Sequence, residues 1–292
     1  MASMRDIKRR KDSVQSTGQI TKAMKLVSSV KLQKSKSIAE ESQPYFNKMY
    51  HTVADVISKS GGITHPFLQK SQSPKKAIIV ITSNRGLAGG YNSNVIKLIT
   101  KDERFNKDDT VLFTVGTKGR DALKRLGYEV IKDSSDAINA PLFTDASEMG
   151  KEVLSQFATG KIGEIYLAYT VFKNTIVQIP TLIKLLPINP EDILEEEAEE
   201  ESAIDKLTLM NYEPEAEEAL DAIIPKYINS IIYGALVEAV ASENGARMQA
   251  MDSATNNAEE IIDDLSLKYN RARQSSITQE LTEIVAGASA IQ

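Results

Sequence analysis

At 292 residues, 26% charged and 6% aromatic with no tryptophan, the chain can build one large domain or two ordinary ones, and its composition suits long helices. Zero cysteines exclude disulfides, thiolate catalysis and any cysteine-held zinc or iron–sulfur centre. The net charge of −5 hides an asymmetry: residues 1–36 carry ten Lys/Arg against two acids, and 191–218 thirteen acids against one lysine. Such blocks suit two electrostatically different partner surfaces, or a solvated helix face and an acidic linker.

The opening residues, MASMRDIKRRKDS, hold no apolar stretch after their charges, so no secretory signal is expected there. No run approaches 18 consecutive apolar residues, so membrane association is expected only through partners. Ser3 to Gln43 is free of proline and interrupted only by Gly18. Ile20, Met24, Val27 and Val30 step by four and three, which predicts a long helix with a narrow apolar seam and a lysine-rich opposite face. Pro44 is expected to kink or end it, with shorter turns to Lys59 and a close at Gly61-Gly62.

The middle changes period. Ala77–Thr82 is a short β-branched run that reads as a buried strand, followed by the glycine loop 86–90 and a helix from Tyr91 to Thr100. A strand at Thr110–Val115, a helix at Thr117–Leu126, a weak strand near Glu129–Ile131 and a helix at Asp145–Phe157 follow. Glu164–Phe172 and Thr175–Leu186 read as two strands paired across Lys173-Asn174. Strand–helix alternation predicts a Rossmann-like α/β domain, mostly parallel, ending in a strand pair. The expected division is an N-terminal helix over 1–60, the α/β domain over 76–190, an acidic linker over 191–213 and a C-terminal helix over 214–292.

Pro214 and Pro225 lead into that last helix, and 226–292 holds no proline. Unbroken, it would be about 100 Å long at ~1.5 Å per residue, a projecting rod. Ile277, Leu281, Ile284, Ala288 and Ile291 repeat the four–three spacing of a coiled-coil seam. Two long helices with narrow stripes are expected to pair antiparallel, leaving 277–292 as a protruding tip.

No catalytic constellation stands out. The loop Ser83–Asn92 sits where phosphate loops sit, but fits neither GxGxxG nor GxxxxGK[ST]; a tight turn or a contact loop is favoured. His51 and His65 lie in no HExxH, Glu195–Glu201 lacks the spacing of a calcium loop, and Ser275, Ser276 and Thr278 have no histidine partner in sequence. No cofactor or metal is therefore expected. The basic N-terminal helix lacks the aromatics of a nucleic-acid module, so an acidic protein surface is the favoured partner.

Five blocks in order carry a family resemblance. ITQELTEIVAGASA (277–290) resembles the C-terminal signature of the gamma subunit of F-type ATP synthase, and IKRRKDSVQSTGQITKAMKLVSSVKLQK (7–34) that family's N-terminal helix. TSNRGLAGGYN (82–92), NYEP (211–214) and ASENGARMQAMDSAT (241–255) are similar to further family segments, so the resemblance spans nearly the whole chain. It implies the central rotary stalk, an antiparallel coiled coil inside a hexamer of alpha and beta subunits, with the α/β domain against the epsilon subunit and the c-subunit ring. Catalytic sites would belong to beta.

By matching positions, Arg273, Gln274 and Thr278, with Glu280 beside them, would bind a beta loop near the top of the shaft. Met24 with Lys22 and Lys25 would face the acidic lever loop of beta. Glu243 and Arg247 match a polar coupling pair, spaced for an i,i+4 interaction. Arg85, Gly86 and Ala88 of the glycine loop match another hexamer contact, and Tyr212 and Glu213 the foot on the c ring. With no cysteine, the thiol control of chloroplast members is excluded. The expectation is torque transmission that couples ion flow to ATP synthesis or hydrolysis, peripheral to a bacterial plasma membrane on its cytoplasmic side. Two other classes remain, a coiled-coil adaptor for an acidic or nucleic-acid surface and a nucleotide-binding enzyme using the glycine loop.

Overall fold

The structure, a computed structural model, describes residues 4–59, 65–69, 71, 73–189 and 216–291. In chain order these form α1 (Met4–Lys59), β1 (Lys76–Ile81), α2 (Tyr91–Thr100), β2 (Thr110–Val115), α3 (Thr117–Arg125), β3 (Glu129–Asp133), a 3-10 turn (Ser135–Asn139), α4 (Phe143–Ala158), β4 (Glu164–Phe172), β5 (Gln178–Leu186) and α5 (Ala216–Ile291). The chain divides into two compact units, Met1–Ser29 with Arg247–Gln292, and Val30–Ala246. Both long helices contribute residues to each.

The larger unit is an α/β layer structure around a five-stranded sheet of order β3-β2-β1-β4-β5. The first four strands are parallel and β5 pairs antiparallel with β4. The strands alternate between two cores because successive side chains point to opposite faces. Ile79, Ile81, Phe113, Ile165 and Leu167 face Val53 of α1, Val153 and Phe157 of α4, and Ile224, Ile228, Ile232 and Leu236 of α5. Ile78, Val80, Leu112 and Ala168 face Val95 and Ile99 of α2 and Leu123 of α3. Covered on both sides, β1 and β2 read as nearly continuous apolar runs, broken only by Lys76, Thr110 and Thr114. The predicted mostly parallel sheet with a terminal strand pair is what forms.

Several local expectations shift. The last strand starts at Gln178 rather than Thr175, because the Asn174 side chain takes the Ile176 and Val177 N–H groups at 2.9 and 2.7 Å and folds 174–177 into a turn. The 3-10 turn at Ser135–Asn139 carried no apolar period and was not foreseen. Pro44 neither ends nor divides α1, and Pro225 lies inside α5 rather than before it. A mid-helix proline costs about 3 kcal/mol. Burial of Val53, Ala54 and Val56 after Pro44, and of Leu220, Ile224 and Ile228 around Pro225, holds the helical path. α5 holds an 18-residue window of mean hydropathy 1.2, apolar enough by composition to cross a membrane. Its row of isoleucines in the sheet core accounts for that character.

In the smaller unit the two helix segments run antiparallel. Gly18 lies where an added Cβ would meet the Ala258 Cβ at 3.3 Å, Thr21 Oγ1 meets Thr255 Oγ1 at 2.8 Å, and Lys25 Nζ meets Asp252 at 2.6 Å. Partner numbers fall as N-terminal numbers rise. The inward positions on the first helix are Ile7, Lys11, Val14, Gly18, Thr21, Lys25 and Ser28; on the second they are Met251, Thr255, Ala258, Ile262, Leu265, Tyr269, Ala272 and Ser276. Both rows keep the four–three step of a coiled coil.

These are not the predicted seams. Ile20, Val27 and Val30 are 61%, 58% and 69% exposed, and only Met24 of that stripe is half-buried. Ile277, Leu281 and Ile284 are likewise exposed, as is Ala288. The real seam sets glycine, alanine and hydroxyl side chains, which let the helices approach closely, among Ile7, Val14, Met251, Ile262 and Leu265, while the predicted apolar stripe stays outside.

Candidate functional site

The exposed apolar stripes and the residues beside them form the candidate surface. On the first helix Lys22 is exposed, Met24 half-buried, and Lys25 tied to Asp252 across the seam. Both members of that pair are more than a third exposed, so it contributes little to stability. On α5, Arg273, Gln274, Thr278 and Glu280 all point into solvent, on the same stretch as Ile277, Leu281 and Ile284. Thr282 donates to the Thr278 carbonyl at 2.8 Å and Gln279 to Glu283 at 2.9 Å, local bonds that leave the outer face clear. Arg247 of the smaller unit and Glu243 of the larger are each only 9% exposed, so they are not surface groups in this structure. A groove of about 980 Å³ opens farther along the coiled coil, lined by Ile7, Val14 and Leu265 together with Arg9, Arg10 and Lys268.

In the α/β unit, β1 passes into α2 through the loop 82–90. Thr82 Oγ1 lies 3.2 Å from the Val115 carbonyl and 3.1 Å from that of Gly116, and accepts the Gly119 N–H at 2.9 Å. The Ser83 N–H donates to Asn92 at 2.9 Å and the Ser83 hydroxyl to the Arg85 carbonyl at 2.6 Å. Asn84 donates to the Ser135 carbonyl at 2.8 Å and accepts the Thr117 N–H at 2.9 Å. The side chains of Thr82, Ser83 and Asn84 are thus committed to the turn itself. Gly116, at φ +98°, passes so close that a Cβ would lie 2.2 Å from the Thr82 carbonyl oxygen.

Behind the loop, Asp133 accepts from Ser135, Arg120 and Thr114, with Arg120 Nη1 at 2.6 Å. Burial raises its pKa, but the Ser135 hydroxyl and the Arg120 guanidinium outweigh that and hold it below the usual carboxylate value. The loop is therefore a braced presentation platform. Arg85 and Gly86 stand exposed at its tip, Ala88 is buried beneath, and Leu87, at φ +63° and 64% exposed, projects farthest into solvent among apolar side chains of the loop. Leu87 was missed at the sequence level; an apolar residue flanked by glycine in a surface turn is the signal that marks it. Tyr212 and Glu213 lie outside the described residues.

A family model described as ATP synthase matches residues 3–291. The ATP synthase gamma chain of Lachnoclostridium phytofermentans is 68% identical over 291 residues, covering all of both chains. The chain belongs to the ATP synthase gamma family. The sodium-ion-specific gamma chain of Acetobacterium woodii is 44% identical, with 99% of each chain covered. Among solved structures, the central stalk and c ring of Tetrahymena thermophila mitochondrial ATP synthase holds a similar chain, 26% identical at a TM-score of 0.58, covering 80% of this chain and 99% of that one. A chain of the Euglena gracilis mitochondrial ATP synthase shares the fold at a TM-score of 0.70 and 20% identity, over 99% of this chain and 94% of its own.

Proposed function

We propose that this gamma chain is the central rotary stalk that couples ion flow at a c-subunit ring to ATP synthesis or hydrolysis in a hexamer of alpha and beta subunits. As a gamma chain it is part of a membrane-associated complex, here assigned to the cytoplasmic side of a bacterial plasma membrane. The epsilon subunit is placed against the α/β unit. ATP chemistry belongs to beta.

The observation that carries this reading is the apolar stripe left on the outside of the coiled coil. Apolar side chains at 20, 27, 30, 277, 281 and 284 face outward, while the seam mixes glycine, alanine, threonine and serine with the buried Met251 and Leu265. An apolar outer surface lacks the directional bonds that would fix one orientation, so it suits a shaft that must turn inside its housing. Coupling then depends on small differences in contact energy between rotary states, rather than tight binding to any one. The exposed Arg273, Gln274, Thr278 and Glu280 supply the directional contacts to a beta loop that switch those states. Met24 with Lys22 and Lys25, and the loop residues Arg85, Gly86 and Ala88, supply contacts lower on the hexamer. Glu243 and Arg247 act in coupling from buried positions, and Tyr212 and Glu213 at the foot on the c ring.

The test mixes purified alpha and beta subunits with and without this chain. Co-elution with a three-plus-three hexamer and a rise in sustained ATP hydrolysis support the stalk. A chain that elutes alone and changes nothing overturns it.

A further inference from the structure

In open α/β sheets, ligands bind in the crevice beyond the carboxyl ends of the strands, at the point where strand order reverses. Here that point lies between β1 and β4, since the chain runs from β1 outward to β2 and β3 and then returns to place β4 on the other side. β1 ends at Ile81, whereas β4 continues to Phe172. Beyond Ala168, paired with Val80, β4 therefore outruns its neighbour. Its other neighbour offers Pro180 opposite Thr170, a residue with no N–H to give.

The strand groups stranded by the end of β1 are taken by α5. Ser242 donates its hydroxyl to the Thr170 carbonyl at 3.0 Å in a buried bond. Glu238, one helical turn earlier, accepts the Phe172 N–H. From the other side Tyr91, the first residue of α2, donates its hydroxyl to the Ala239 carbonyl at 3.1 Å, also buried. Gly245 completes the face: a Cβ there would touch the Phe172 ring and the Gln178 amide, both at 3.4 Å. Three polar ties from two elements thus hold one stretch of one helix from two sides, where packing alone would let it roll about its axis.

Resting on the rotary reading above, we infer that the crevice in which doubly wound sheets bind ligands serves here as a clamp on α5, and that Tyr91, Ser242 and Glu238 are the positioning residues that pass torque between helix and sheet. Hydrophobic contact is non-directional and resists rolling poorly, whereas hydrogen bonds fail when their donors swing away.

The test uses the whole ATP synthase assembled with this chain, whose lack of cysteine makes introduced pairs unambiguous. Thr170→Cys with Ser242→Cys, closed by an added oxidant, locks helix to strand. Tyr91→Phe with Ser242→Ala removes two ties at nearly constant volume. The clamp predicts that closing the lock with oxidant leaves ATP-driven ion pumping at the level of the same variant kept reduced. It predicts that the second variant lowers the torsional stiffness of the stalk, read from fluctuations of a rotating probe, and speeds amide exchange at Phe172 roughly tenfold. Lost pumping on locking, or unaltered stiffness and exchange in the second variant, overturns it. If the second variant does not assemble, the lock decides alone. A parent complex that shows no rotation condemns the rotary reading, a failure distinct from that of the clamp.

Discussion

The two units of this chain divide their apolar residues differently between inside and outside. In the α/β unit, isoleucine, valine and phenylalanine fill two cores on either side of a sheet, and Ile78, Ile79 and Ile81 are fully buried. In the paired-helix unit, threonine, serine, glycine and alanine share the inside with a few large apolar side chains such as Met251 and Leu265, and much of the aliphatic surface, Ile20, Val27, Ile277, Leu281 and Ile284, lies outside. One unit spends its hydrophobic surface on its own stability. The other keeps it available for contact, so position on a helix, not residue type, says what an apolar side chain is for.

The largest effects should come from the first unit. Ile79→Ala empties a site in the closed core and should cost about 3–4 kcal/mol, seen as a lower urea midpoint with the slope retained. Gly116→Ala forces a Cβ onto the Thr82 carbonyl at a positive φ, and should cost about 3 kcal/mol while loosening the loop that carries Arg85. A loss under about 1 kcal/mol at either site would mean that the sheet relaxes far more than its packing implies.

Much of that unit was legible in the sequence, because β-branched runs covered on both faces admit few alternatives. Val80 or Phe113 can only be interior. The coiled coil was misread because periodicity locates a stripe without saying what covers it. Ile20, Val27 and Val30 satisfy the heptad rule as well as Thr21 and Ser28 do, and only the paired helix distinguishes them. The hydroxyl residues hold that seam without advertising it. The candidate site suffered likewise: exposure at Arg273 and Gln274 fits a contact role, while the burial of Glu243 and Arg247 has no signature in spacing.

A middle-sized effect sharpens the contrast at the seam itself. Thr21 and Thr255 share a buried 2.8 Å bond, and each hydroxyl also lies within reach of its own helix, at the Gly18 and Met251 carbonyls. Thr21→Val should cost about 1 kcal/mol, and adding Thr255→Val should recover much of it, since two apolar partners leave no hydroxyl unsatisfied. A double-mutant cycle of thermal unfolding reads the coupling. Additive losses would show that the two hydroxyls act separately.

A smaller effect depends on pH. Burial raises the pKa of Glu238 above the ordinary carboxylate value, against the lowering by the Phe172 N–H, and its charge adds to the burial that pushes Tyr169 up to about 12. The folded state therefore holds the proton to higher pH than the unfolded chain. Stability is fullest below the ordinary glutamate pKa and declines as pH rises through the elevated one. Glu238→Gln keeps the acceptor for Phe172 without the charge, so it should raise Tm at pH 8 and leave Tm at pH 4 nearly unchanged. A Tm lowered equally at both would assign Glu238 a structural bond that glutamine cannot replace.

The smallest effect on stability should accompany a large effect on function. Ile284→Ala removes a side chain that is 67% exposed on α5, so the melting behaviour of the isolated chain should move by less than about 0.5 kcal/mol. If the outer stripe is a bearing surface, the same change should weaken assembly with the hexamer or lower the ion transport obtained per ATP. Ile79→Ala provides the reverse case, a large loss of stability from a residue no partner can touch. Should Ile284→Ala destabilise the free chain as strongly as a core truncation, the stripe would be covered within this protein, and the opposition between the two units would fall. Should it alter neither stability nor coupling, exposure alone would not make an apolar residue functional here, and the directional groups at Arg273 and Gln274 would carry the contact.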